Sequence, residues 1–80
     1  MHLLLAEDEA GILEGLAAFL RMRGHVVRTA SSCRAAVERL TDEQFDALIT
    51  DWRLGDGSGA EVLCAAPDVP ALVMSGWPEE

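Results

Sequence analysis

Three stations along the chain carry oxygen-bearing side chains where short apolar runs end. Glu7, Asp8 and Glu9 follow Leu3-Leu4-Leu5-Ala6, Asp51 ends Ala47-Leu48-Ile49-Thr50, and Ser75 follows Ala71-Leu72-Val73-Met74. If each run is a strand of one parallel sheet, the three run ends share the edge where open α/β folds place their ligands. Carboxylates gathered there repel one another, so at least one pKa rises unless a cation sits among them. A hard divalent ion that takes oxygen ligands, Mg²⁺ above all, is the natural partner. The chemistry suggested is metal-assisted, with Asp51 as the lone carboxylate placed to react. Plainer readings stand beside this one. The acidic triplet also suits a solvated helix start, Asp51 a strand-end cap, and Ser75-Gly76 an ordinary turn.

The elements that must position these residues alternate. Leu3–Ala6 reads as a buried strand. Ala10 to Arg23 reads as an amphipathic helix whose inner stripe is Ile12, Leu13, Leu16, Phe19 and Leu20, with Gly24 as its stop. His25–Ala30, carrying Arg28 and Thr29, reads as a more polar edge strand. Ser31 or Ser32 caps a second helix to about Leu40, burying Cys33, Ala36, Val37 and Leu40. Phe45 folds its ring onto the core. Ala47–Asp51 is apolar on both faces, as a central parallel strand is. The loop Trp52-Arg53-Leu54-Gly55-Asp56-Gly57 leads to Ser58, and Glu61 three residues on completes a capping-box pattern for a third helix ending near Ala66. Pro67 and Pro70 then punctuate the approach to a fourth strand, Ala71–Met74. The order β-α-β-α-β-α-β implies right-handed crossovers and a mostly parallel sheet.

Eighty residues make one small domain, and half of them are hydrophobic, which is a globular composition. The net charge of −8 argues against nucleic acid or an anionic membrane as a direct partner. All six basic residues are Arg, and the chain has no Lys. Cys33 and Cys64 have no metal spacing and read as small buried thiols in a reducing cytoplasm. No apolar run approaches membrane-spanning length. His2 and His25 flank strands and read as surface residues. Trp52 and Trp77 adjoin the proposed pocket. Lining that pocket and covering an incomplete core are equal readings for both.

Taken in order, three motifs resemble the receiver domain of two-component response regulators. Leu-Leu-Ala-Glu7-Asp8-Glu9 is similar to that family's first strand and acidic pair. Ala-Leu-Ile-Thr-Asp51-Trp-Arg-Leu-Gly-Asp-Gly-Ser-Gly is similar to its phosphoacceptor strand and loop, and Leu-Val-Met-Ser75-Gly76 to its fourth strand. The resemblance implies a flavodoxin-like, doubly wound parallel sheet of strand order 2-1-3-4. It implies that Asp51 accepts a phosphoryl group from a histidine on a sensor kinase or phosphotransfer protein. Glu7, Asp8 and Asp51, with the backbone carbonyl of Arg53, would hold Mg²⁺. Ser75 would bond a phosphoryl oxygen, Gly76 would leave room for it, and Trp52 would stand with them at the phosphoryl group. Such a module is not an enzyme in the usual sense. At most it catalyses its own phosphorylation and dephosphorylation, in the cytoplasm.

The resemblance spans residues 1–80 as an incomplete receiver domain. The family's fifth strand, with its terminal Lys, and the last helices have no counterpart here, so phosphotransfer is expected to be impaired. The fourth strand then becomes an uncharged sheet edge without Pro, which is expected to seek a second copy in a homodimer or swapped oligomer. The alternative function is a phosphate-independent interaction or dimerisation module. A haloacid-dehalogenase-type phosphatase is disfavoured, because that family wants a second Asp two residues after the nucleophile, where this chain has Arg53.

Overall fold

Parallel pairing organises the chain, because each apolar run is too short to bury itself and is followed by a helix that carries the chain back. The structure, a computed structural model, describes residues 1–74. β1 (His2–Ala6) is followed by α1 (Ala10–Met22), β2 (Val26–Ala30), α2 (Cys33–Asp42) and β3 (Ala47–Asp51). A two-residue hairpin comes next, β4 (Arg53–Leu54) against β5 (Gly57–Ser58), and then α3 (Gly59–Ala65) and β6 (Ala71–Met74). The main sheet is parallel with order β2-β1-β3-β6, so the expected 2-1-3-4 order is the observed one. Leu3, Leu4, Leu5 and Ala6 pair with Ala47, Leu48, Ile49 and Thr50, and Asp51 pairs with Met74.

Alternation along β1 builds two cores. Leu4 and Ala6 face α2 and α3, in a cluster with Ala36, Phe45, Leu48, Leu54 and Val62. Leu3 and Leu5 face α1, in a cluster with Ala17 and Val27. Helices on both faces make the sheet doubly wound. Leu4, Leu5 and Leu48 are fully buried, each contributing about 1.5–3 kcal/mol of transfer free energy.

The helix ends follow their local chemistry. Ser32 caps α2 by accepting the amide of Ala35 at 3.0 Å. Gly24 adopts φ 93°, the left-handed conformation a helix exit favours. Four expectations need correction. Ile12 and Phe19 are 51% and 54% exposed, because α1 presents a narrow stripe to the sheet: Ala17 is buried, Leu13, Leu16 and Leu20 pack beside it, and Ile12 and Phe19 fall outside the contact. Cys64 is exposed, on the outer side of the short α3. His2 is half-buried, with its ring edge-on to Phe45 at 4.8 Å. Ser58 makes no side-chain cap on α3, and the capping-box pattern goes unused, since Glu61 lies beside the Cys33 thiol instead.

Candidate functional site

Two parallel strands, β1 and β3, end side by side, and their last residues set the site. Glu7 directly follows β1. Its amide continues the ladder by donating to the Ala30 carbonyl at 3.0 Å, and its side chain is buried at 4% exposure. Asp8 comes next and is exposed, while Asp51 ends β3 half-buried. One carboxylate oxygen from each of Glu7, Asp8 and Asp51 lies within 4.8 Å of the others. The geometric premise drawn from the run ends therefore holds for these three residues.

Electrostatics in this corner favour a cation. Burial pushes the Glu7 carboxyl above its ordinary range, and the charges of Asp51 and Asp8 add to that. The Glu9 amide opposes the rise by donating to Glu7 Oε2 at 3.0 Å. A carboxylate buried among two others is stabilised either by taking a proton or by a positive ion. Three hard oxygen donors at this separation fit a divalent ion such as Mg²⁺ or Ca²⁺, and lack the nitrogen or sulfur that zinc sites use.

The loop after Asp51 is fastened on several sides. The Trp52 amide donates to the Met74 carbonyl at 2.9 Å, and the Trp52 carbonyl accepts from Gly59 at 2.7 Å. Thr50 is fully buried, and its hydroxyl donates to the Asp51 carbonyl at 3.0 Å. Gly59 is a tight point, since a Cβ there would lie 2.7 Å from the Asp51 carbonyl oxygen. Further along, the Gly55 amide donates to Asp8 Oδ2 at 3.0 Å, joining the loop to the acidic corner.

The other expected site residues divide into three groups. Trp52 follows Asp51 immediately and is 48% exposed beside the corner. Arg53, whose carbonyl the resemblance assigns to the metal, lies on β4 with its side chain in solvent. Ser75, Gly76 and Trp77 lie outside the described residues. Sequence reasoning missed Gly55 and treated Asp56 as a plain loop residue. Asp56 accepts the amides of Cys33 at 2.6 Å and Arg34 at 3.0 Å, a link to α2 from more than twenty residues away. No local pattern announces such a contact.

Comparison with known proteins agrees with this geometry. Residues 3–79 match the family described as the response regulator receiver domain. Response regulator RR06 of Streptococcus pneumoniae serotype 2 is 34% identical over 83 residues, covering 100% of this chain and 38% of that protein. The transcriptional regulatory protein FixJ of Rhizobium meliloti is 32% identical over 76 residues, covering 90% of this chain and 37% of that protein. The chain thus spans under two fifths of either relative. Among solved structures, a response regulator from Burkholderia pseudomallei with a phosphorylated aspartic acid, a calcium ion and citrate superposes with a TM-score of 0.84 at 29% identity, covering 98% of this chain and 48% of that one. The N-terminal domain of a response regulator/sensory box/GGDEF protein from Carboxydothermus hydrogenoformans gives 0.92 at 25% identity, covering 100% of this chain and 68% of that one.

Proposed function

This chain belongs to the response regulator receiver domain family, and on that premise we propose that Asp51 is a phosphoacceptor served by a histidine kinase or a phosphotransfer protein. The observation that carries the reading is the convergence of Glu7, Asp8 and Asp51 at the ends of β1 and β3. The Burkholderia structure, with its phosphorylated aspartic acid and calcium ion, lends support by likeness.

The proposed chemistry is an in-line displacement. An Asp51 carboxylate oxygen attacks phosphorus as the bond from phosphorus to the donor's imidazole nitrogen breaks, and the electron pair leaves with the imidazole. The product is an acyl phosphate, which water cleaves to restore Asp51 and release phosphate. A magnesium ion, held by Glu7, Asp8 and Asp51 with the Arg53 carbonyl, would supply the positive charge that lets an anionic acceptor meet an anionic phosphoryl group. Glu7, buried and fixed by the Glu9 amide, presents a carboxylate with little freedom to reorganise. Ser75 and Gly76 are assigned to the phosphoryl oxygens, with Trp52 alongside. No Lys is present in these 80 residues to pair with that group, so transfer to this chain should be slow. The chain acts on no separate substrate, and a kinase partner together with free thiols suits the cytoplasm.

The test is incubation with Mg²⁺ and acetyl phosphate, followed by intact mass. Wild type should gain one phosphoryl group and Asp51→Asn none. An equal gain by both, or by neither, would reject Asp51 as the acceptor.

One observation favours a second reading, a module that pairs with a copy of itself. β6 has no second neighbour among the described residues, and Leu72 and Val73 on it are 62% and 37% exposed. An uncharged open edge invites strand addition. Light scattering should then find a dimer that a Val73→Lys change disperses, and a wild-type monomer would end this reading.

A further inference from the structure

The loop between β3 and α3 is gripped from two directions by neighbouring residues. Gly55 points its amide at Asp8 Oδ2, at 3.0 Å. Asp56 reaches the opposite way, with Oδ1 accepting from the Cys33 amide at 2.6 Å and Oδ2 from the Arg34 amide at 3.0 Å. Those amides open α2 and have no partner within the helix. Ser32 takes a third, that of Ala35. The α2 start thus carries two caps, one local and one delivered by the loop. Asp56 itself is not among the carboxylates that converge on Asp51.

We infer that the Gly55 amide and the Asp56 carboxylate are positioning groups for the cation site, holding Asp8 in its ligating arrangement through a chain of hydrogen bonds anchored on α2. The inference rests on the reading of Glu7, Asp8 and Asp51 as that site. Its logic is entropic. Asp8 is exposed, so without a restraint its side chain samples several rotamers, and ordering it on binding costs free energy. The Gly55 hydrogen bond removes much of that freedom beforehand and leaves the second carboxylate oxygen for a cation. The amide can do this only if the loop stays in place. Two paired residues per strand make too small a hairpin to hold itself. Leu54, 2% exposed, ties it to the core from below, and Asp56 ties it to α2 from the side. The two α2 amides hold Asp56 ionised by lowering its pKa, which keeps both oxygens available as acceptors. Coupling of this kind is reciprocal, so an ion at Asp8 steadies the loop as much as the loop favours the ion.

The space around Gly55 permits a clean dissection. Its φ is not positive, and an added Cβ would meet Asp8 Oδ2 at an ordinary 3.6 Å. Gly55→Ala therefore keeps the amide, while Gly55→Pro removes it. The experiment titrates Mn²⁺ into the full chain and reads the free ion by electron paramagnetic resonance. Partners behind metal ligands commonly set affinity by about 10–100-fold. The expected result is that Asp56→Ala and Gly55→Pro weaken Mn²⁺ binding by about tenfold, that Gly55→Ala matches wild type, and that Asp56→Asn, with one acceptor oxygen left, falls between. Amide exchange gives a readout independent of ligand strength. Mg²⁺ should slow exchange at Cys33 and Arg34 in wild type and not in Gly55→Pro. Circular dichroism identifies any variant that fails to fold. If Asp56→Ala does so, Asp56→Asn and Gly55→Pro decide. Wild-type affinity in folded Gly55→Pro and Asp56→Asn overturns this inference and leaves the phosphoacceptor reading standing. Absence of Mn²⁺ binding by wild type overturns both.

Discussion

The two faces of the sheet are covered unequally. On one, Leu4 and Leu48 are sealed beneath α2 and α3, with Val62 of α3 fully buried against them. On the other, α1 lies over β1 and β2, only Leu3, Leu5, Ala17 and Val27 are buried, and Ala47, Ile49 and Met74 are partly covered. The acidic corner sits at the strand ends between these regions, yet its supports come from the sealed side. Leu54, Asp56, Gly59 and α3 all belong to that side. Tight packing suits a support, because close-packed side chains transmit position where loose ones absorb it. The contrast teaches that the α2/α3 face holds the loop after Asp51, while the α1 face has room to change.

The sharpest test compares core truncations. Leu48→Ala, at a fully buried position, should cost about 3 kcal/mol, enough to unfold much of a domain this small. Phe19→Ala, on the outer side of α1, should cost about 1 kcal/mol or less. Urea midpoints would show it, and equal losses would erase the difference between the faces.

Two glycines extend the comparison. Gly59→Ala drives a methyl toward the Asp51 carbonyl, where backbone rather than a flexible side chain must yield, and should cost about 1–3 kcal/mol. Gly15→Ala, in α1 with nothing within 4 Å of the new Cβ, should instead stabilise by about 0.5–1 kcal/mol. Thermal melting of the pair should therefore move in opposite directions.

The cysteines offer a chemical version. Burial pushes the Cys33 thiol above its ordinary range, assisted by the Glu61 hydrogen bond and charge and by Asp56, so it stays neutral in the fold. Iodoacetamide at mildly alkaline pH should modify exposed Cys64 well before Cys33, as peptide mass mapping would reveal. Because the folded value lies above the unfolded one, the associated stability is full below the unfolded value and drains away as pH rises through the folded value. Cys33→Ala should flatten that alkaline decline, and an unchanged decline would place its origin elsewhere.

The smallest effect belongs to the surface of the sealed side. Arg34 and Glu38 approach to 3.5 Å, but both are largely in solvent. Glu38→Gln should shift stability by about 0.3 kcal/mol at most, less in salt. A larger change in the urea midpoint would mean that helix surfaces, and not the core, distinguish the two faces.

Much of this arrangement is legible in the residues themselves. The parallel sheet, the edge position of the polar β2, a serine cap on α2 and the meeting of Glu7, Asp8 and Asp51 follow from apolar periodicity, turn chemistry and the single edge shared by parallel strands, while the strand order came from the family resemblance and the choice of Ser32 over Ser31 from the structure. The α1 stripe is half legible: Leu13, Leu16 and Leu20 pack against the sheet, and Ile12 and Phe19 do not. Ile12 and Phe19 repeat at the right spacing, but spacing says nothing about how wide a surface the sheet offers. The capping-box pattern at Ser58 and Glu61 failed for a related reason, since Glu61 had a closer partner in the Cys33 thiol.

Short-range order was settled by the chain alone, because strand and helix signals act between residues a few positions apart and acidic strand ends need only parallel pairing to converge. The depth of Glu7, the grip of Asp8 on Gly55, the capping of α2 by Asp56 and the wedge at Gly59 were decided by tertiary structure. Each depends on where a crossover sets down a backbone amide or carbonyl that carries no residue-specific signature.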